Sequence, residues 1–381
     1  MSKLRHPMKD LRTFRAPGEP EAFLRTWPLV RTAYAQREPL PRRHLRPRLL
    51  AAAAVAVALA VTAAALSPPG QALVDKIREA VGVQHPEPAL FSLPSSGRLL
   101  VSSDAGVWVV QADGSKRLLA GWLDASWSPF GRYLVAARQN ELAALEPDGS
   151  VHWTLARAGV RSPRWAGSRT DTRIAYLRGR QLRVVGGDGR ADRLLDRRVA
   201  PLAPAWRPGH PFQLAYLDQL NRVRIVDADR GTSRGLSRPY SQPRQLAWST
   251  DGKILYLLTA DGLQRLDAQA RPLASTPSSA GAAPLGVAPR PGGGIALTRP
   301  TAEGSELLLG NRRVLAGPGL LTDLAWSPNG RWLAVAWPQA DQLVFVRAEG
   351  TRRIDAAANV KAQFETASFP RVAGWCCARN P

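Results

Sequence analysis

The residues able to do chemistry are few and scattered. Five histidines, His6, His44, His85, His152 and His210, are spread along the chain without the paired spacing that a zinc site needs, and they offer no obvious base for a nucleophile. There is no Gly-x-Ser-x-Gly elbow, no phosphate-binding Gly-x-x-x-x-Gly-Lys loop and no dinucleotide fingerprint ahead of a helix; Gly292-Gly293-Gly294 reads as a loop. Asp227-Ala228-Asp229 is the nearest approach to a calcium run, but calcium takes six or more oxygens and the Asp-x-Asp-x-Asp-Gly spacing is missing, so turn chemistry is the expectation. Cys376 and Cys377, the only cysteines, are adjacent. They could join as a vicinal disulfide, pair with another chain or stay as two small residues; a bonded state is favoured outside a reducing compartment. The expectation is a chain with no cofactor, no metal and no catalytic constellation, hence not an enzyme.

What the sequence does repeat is tryptophan. Trp127, Trp165, Trp206, Trp248 and Trp326 lie 38, 41, 42 and 78 positions apart, and Val287-Ala288-Pro289 divides the last gap into 39 and 39 if Val287 takes the tryptophan's place. A period of about 40 residues means equivalent modules, each too small to bury its apolar face alone. Short β-branched and aromatic runs bounded by Asp-Gly read as strands and hairpins, because glycine tolerates the positive φ of a tight turn. Such turns fall at Asp113-Gly114, Asp148-Gly149, Asp188-Gly189, Asp229-Arg230-Gly231, near Asp267, near Gly310-Asn311 and at Glu349-Gly350, seven in all. The first unit, 97–120, lacks a leading tryptophan strand, and the run from Pro370 to Trp375 at the other end of the chain can supply it. The spacing therefore predicts an all-β, seven-bladed β-propeller over residues 97–381, closed by its C-terminal strand so that no sheet edge is left open. Six or eight blades fit the counts less well. A residue type repeated once per module predicts blade packing rather than an aromatic ligand ring for Trp127, Trp165, Trp206, Trp248, Trp326 and Trp375.

The Trp-Ser-Pro-x-Gly signature at Trp127 to Gly131 and Trp326 to Gly330, followed by an apolar strand and an Asp-Gly hairpin, resembles the TolB-like family of WD-type β-propeller repeats over residues 97–376. It departs from the pattern at Trp165-Ala166-Gly167 and at Val287, and Pro277 to Gly294 is rich in glycine and proline. The resemblance implies a rigid platform for protein or ligand contacts, since members differ widely in role.

Ahead of the repeats, Leu49 to Leu66 is 18 residues without a charge, about 27 Å as a helix and just long enough to cross a bilayer. Residues 1–48 hold 12 Lys or Arg against four acidic residues, which orients this segment as a single transmembrane anchor with its N-terminus in the cytoplasm and the repeats outside. A cleaved export signal is the alternative, given the small residues Ala63-Ala64-Ala65. Within the basic tail, residues 21–38 have helical periodicity, with Phe23, Trp27, Val30 and Tyr34 on one face, interrupted by Pro28; such a face could dock a cytoplasmic regulator or lie on the membrane. Residues 67–96, with Pro68, Pro69, Pro86, Pro88 and Pro94, read as a stalk.

The net charge of +22 comes from 46 Arg and only six Lys in an Ala-, Pro- and Gly-rich chain. It reads as compositional bias rather than a polyanion site, and nucleic acid is not expected as a partner. Arg-rich stretches such as Arg178 to Arg183 could hold anionic glycans or phospholipid head groups, although a solvated strand face is the simpler reading. The leading functional expectation is a membrane-anchored, extracytoplasmic binding platform for protein or cell-envelope ligands. The second is a transmembrane regulator, anti-sigma-like in outline, whose tail engages a cytoplasmic partner; a propeller-scaffold hydrolase or lyase comes third.

Overall fold

A computed structural model describes residues 91–168, 170–210, 212–277, 283–351 and 353–377. The tail helix of 21–38 with Phe23, Trp27, Val30 and Tyr34, the apolar segment 49–66 and most of the stalk lie outside the described residues. Among the described residues no helix is long and apolar enough to cross a membrane.

The chain folds into seven four-stranded antiparallel sheets. Their first strands, Asp124–Trp127, Val160–Gly167, Ala205–Trp206, Gln245–Trp248, Gly286–Pro289, Thr322–Trp326 and Arg371–Cys376, touch one another in sequence and complete a ring, so each sheet is a blade and these strands form the innermost circle. Blade 1 is composite. Its outer three strands, Arg98–Ser103, Gly106–Val110 and Lys116–Ala120, come from the start of the described chain, and its inner strand is Arg371–Cys376 from the other end, with Leu99 opposite Trp375. Blades 2 to 7 follow in chain order over 124–156, 160–196, 205–239, 245–277, 286–317 and 322–358.

The core is divided among the joints between blades. Among the described residues there are seven apolar clusters, and each draws on two neighbouring blades. In blade 2, Leu134 and Ala136 pack toward blade 1, while Val135 and Ala137 pack toward blade 3. In blade 7, Leu333 and Val335 face blade 6, and Ala334 and Ala336 face blade 1. A strand covered on both sides buries odd and even residues alike, which is why Trp332–Trp337 is apolar throughout rather than alternating.

All seven expected hairpins join the third and fourth strands of a blade. Five of their aspartates, Asp113, Asp148, Asp188, Asp227 and Asp267, accept a backbone N–H two residues on, at 2.8 to 3.1 Å, which is the turn-closing geometry of aspartate. Two sequence assignments shift. Pro289, not Val287, occupies the tryptophan position of blade 6, because it pairs with Ile295 as Trp248 pairs with Leu255 and Trp326 with Leu333; the following Gly-rich turn is one residue shorter than its counterparts. The Arg178 to Arg183 stretch is not one strand: it turns at Gly179, where φ is +57°, between the strands Thr172–Arg178 and Gln181–Gly186. The end of the expected stalk also packs on the ring. Phe91 and Leu93 are buried, Phe91 lies 5.6 Å from the Phe345 ring of blade 7, and the Leu93 N–H donates to Ala112.

Candidate binding site

The inner strands all run from the same face to the other, and their two ends differ. At their C-terminal ends the Trp-Ser-Pro-x-Gly turns close by a repeated set of bonds. Ser128 N–H donates to the Tyr133 carbonyl at 2.9 Å while its hydroxyl accepts the Tyr133 N–H at 3.0 Å, and Ser249 with Ile254 and Ser327 with Trp332 do the same. Gly131, Gly252 and Gly330 complete these turns at φ of +66° to +68°.

Three of the tryptophans tie their blade to the one before. The indole N–H groups of Trp206, Trp248 and Trp326 donate to the carbonyls of Arg164, Ala205 and Ala288, the residue just before the tryptophan position of the preceding blade, at 2.8, 3.1 and 3.0 Å. Those of Trp127, Trp165 and Trp375 lack a partner among the described residues. Arginines reinforce the pattern: Arg207 and Arg290 stack on Trp248 and Trp326 of the next blade and donate to the carbonyls of Gly252 and Gly330, and Arg98 does likewise over Trp127 and Gly131. Part of the arginine excess is therefore structural. The two sulfurs of Cys376 and Cys377 lie within bonding distance at the end of the closing strand, against Gly131, where a side chain would collide with Cys377.

The N-terminal ends of the same strands carry no residue common to most blades. They enclose a cavity of about 510 Å3 at the mouth of the central channel, lined by six of the seven blades, with Arg164, Arg244, Asp323 and Arg371 as its charged groups. Backbone irregularities open this end. The inner strand of blade 3 slips register between Arg161 and Arg164, with Ser162 at φ +51°, and that of blade 7 slips between Thr322 and Leu324, with Asp323 at φ +44°. Such bulges re-aim side chains at the start of a strand.

The closing strand is held here from both sides. Asp124 of blade 2 accepts from the Arg371 guanidinium at 2.9 Å and from the Ser162 N–H at 3.0 Å, and Asp323 of blade 7 accepts the Val372 N–H at 3.2 Å. Burial pushes the Asp323 carboxyl above its ordinary value, opposed by Arg371 and by the Val372 bond. Arg164 is deep in the channel, where burial pulls its guanidinium below its ordinary value; Asp124 works against that shift and Arg371 adds to it.

Elsewhere, His152 stacks on Tyr133 at 4.8 Å and His210 lines a more apolar groove of about 790 Å3 on the tryptophan-turn face with Trp165, Trp206 and Phe212. Asp227 binds Arg230 and Arg234 as well as its own turn. Among the described residues no group of three or more His, Cys, Asp or Glu could hold a metal ion.

Sequence reading found the tryptophans but missed the channel mouth. Asp124 and Asp323 stand three positions before their tryptophans, and Arg244 and Arg371 four, so aligning the units on tryptophan would have brought out these charges.

No family model and no curated protein matches the chain. Solved structures do. The C-terminal WD40 domain of Sif2 superposes with a TM-score of 0.52 at 13% identity, over 70% of this chain and 83% of that one. A chain of the mitotic checkpoint complex gives 0.51 at 16%, over 72% and 85%. A protein of Bacteroides fragilis provisionally assigned as a 6-phosphogluconolactonase gives 0.51 at 15%, over 77% and 99%. At these identities the likeness establishes the fold alone, a seven-bladed β-propeller.

Proposed function

We propose that this chain is a non-enzymatic, protein-binding propeller whose working face is the one onto which the channel mouth opens. The observation that carries the reading is the placement of exposed leucines. Leu123 and Leu320 lie one and two residues ahead of inner strands, and Leu220 lies in the hairpin between the second and third strands of blade 4, so all three are on the channel-mouth face, 58, 41 and 54% exposed. Three of the seven exposed large apolar side chains among the described residues lie on this face, against Phe130 at the tryptophan-turn face and Val151, Leu236 and Leu273 on outermost strands. Exposed apolar side chains on a rigid face favour a macromolecular partner. A photo-crosslinking residue at Leu123 or Leu320 is expected to form protein adducts in the native host, while one at Leu273, 56% exposed on the outermost strand of blade 5, is not. Equal yields at the two places overturn the choice of face.

The finer reading is a TolB-like, membrane-anchored protein with its propeller outside the cytoplasm. It is supported by the uncharged run Leu49 to Leu66 behind a strongly basic tail and by the adjacent Cys376 and Cys377, which suit an oxidising compartment if joined. Protease added to intact cells or spheroplasts should digest the propeller and spare residues 1–48. Protection of the whole chain overturns this topology. Thiol alkylation before and after reduction tests the cysteine pair, with labelling only after reduction as the expected result. The anti-sigma-like alternative, in which residues 21–38 engage a cytoplasmic regulator, rests on the Phe23, Trp27, Val30, Tyr34 stripe and predicts a partner lost when residues 1–48 are removed.

A further inference from the structure

We infer that the channel mouth is a carboxylate-binding site in which Arg164 and Arg244 receive an acidic segment of a partner protein. The inference rests on the proposed protein-binding role and adds the chemistry of what is bound.

The charges at the mouth divide into those already used and those left over. Both oxygens of Asp124 are engaged, one by Arg371 and one by the Ser162 N–H, and Asp323 is turned to the Val372 N–H. Among the described residues the Arg164 guanidinium makes one hydrogen bond, at 2.7 Å to the carbonyl of its neighbour Pro163, and no carboxylate forms an ion pair with it. Arg244 is exposed into the cavity and its side chain has no hydrogen-bond or ion-pair partner among the described residues. A guanidinium carries five donors, so most of this donor capacity is unspent.

Other arginines of the chain are held by carboxylates: Asp192 takes Arg157 and Arg183, Asp218 takes Arg222, and Asp227 takes Arg230 and Arg234. Arg164 is half-buried, and the one carboxylate acting on it, Asp124, is already bonded to Arg371, so a bound anion would add compensation for its burial. The planar fork of arginine matches a carboxylate with two parallel bonds. Asp323 in the same wall, with Asp124 behind Arg371, disfavours a doubly charged phosphate more than a singly charged carboxylate. The cavity is also within the usual size of a ligand pocket, and the exposed leucines on the same face would meet the apolar residues that flank an acidic side chain in a peptide.

The test uses the full chain in detergent micelles and two dye-labelled peptides, one with three glutamates interspersed with leucines and glycines, the other with glutamines in their place. Fluorescence anisotropy should show the acidic peptide binding at least about tenfold more tightly, with affinity falling as salt is raised. Arg244→Gln should weaken binding by about tenfold and Arg164→Gln by at least as much, whereas Arg347→Gln, at the end of a third strand on the opposite face, should change nothing. Because the Arg244 side chain is exposed and makes no bond among the described residues, its variant carries the test even if Arg164→Gln unfolds. Equal affinity for the two peptides, or unchanged binding by Arg244→Gln, overturns the site. If neither peptide binds while crosslinks at Leu320 persist, the carboxylate site fails and the platform stands; if the acidic peptide binds and no crosslinks form, the platform fails and the site stands.

Discussion

Followed along its length, the inner strand of blade 7 passes from Asp323, at φ +44° in a bulge beside the channel, to Trp326, buried and bonded to the preceding blade three residues later. The inner strand of blade 5 passes likewise from Arg244 and Gln245 to Trp248. One end repeats from blade to blade and the other does not. At the repeating end each residue solves the same problem, the joint between two blades, and a problem met seven times selects the same residue types. The channel mouth is met once per molecule, so its residues answer to something other than the repeat. Variation at equivalent positions of a repeated scaffold is thus the better guide to a binding site than the repeat itself.

The closing strand belongs to both ends, and its loss carries the largest expected effect. Deleting residues 371–381 exposes the Leu99, Leu100 and Val101 edge and removes Val372 and Trp375 from the blade 7–blade 1 core. The expected outcome is loss of the single cooperative melting transition by calorimetry. A deletion that melts like the parent would show that closure contributes little.

Next is the tryptophan end. Trp326→Ala removes a buried side chain and its bond to Ala288 and should cost about 3–5 kcal/mol by chemical denaturation. Trp165→Ala, where the indole is only half-buried and its N–H has no partner among the described residues, should cost clearly less. Equal costs would mean that burial and the inter-blade bond do not set the strength of a joint. The turn that follows is tested by Gly330→Ala. At φ +66°, and with the carbonyl of Pro291 only 2.6 Å from the added carbon, about 1–3 kcal/mol should be lost.

The smallest effect is at the mouth and has the opposite sign. Burial raises the folded-state pKa of Asp323 above its unfolded value, so the contribution of this group to stability is fully present below the unfolded pKa, near 4, and is lost as pH rises through the folded value. Asparagine keeps an acceptor for the Val372 N–H and cannot ionise. Asp323→Asn should therefore gain in melting temperature relative to the parent as pH is raised from about 3 to about 7. A constant difference over that range would remove the electrostatic contrast between the two ends.

The number of blades, the seven hairpins and the closure by the C-terminal strand were legible because each follows from local signals, a tryptophan ahead of a turn or an aspartate at a hairpin, that recur at a fixed period. The reading slipped at Val287, where the period held but the residue did not: Pro289 takes the position because register depends on pairing with Ile295, which spacing alone does not report. It slipped again at Arg178 to Arg183, where a turn at Gly179 looked like a charged strand.

The architecture follows from the periodicity of the chain, since modules of about 40 residues that are apolar on both faces of their middle strands must stack and close to leave water. The meeting of Asp124, Arg164, Arg244, Asp323 and Arg371 follows from the ring alone. They span 248 positions of the chain and share no motif, and the seven-fold ring, which brings the starting points of all its inner strands around one axis, is what makes them neighbours.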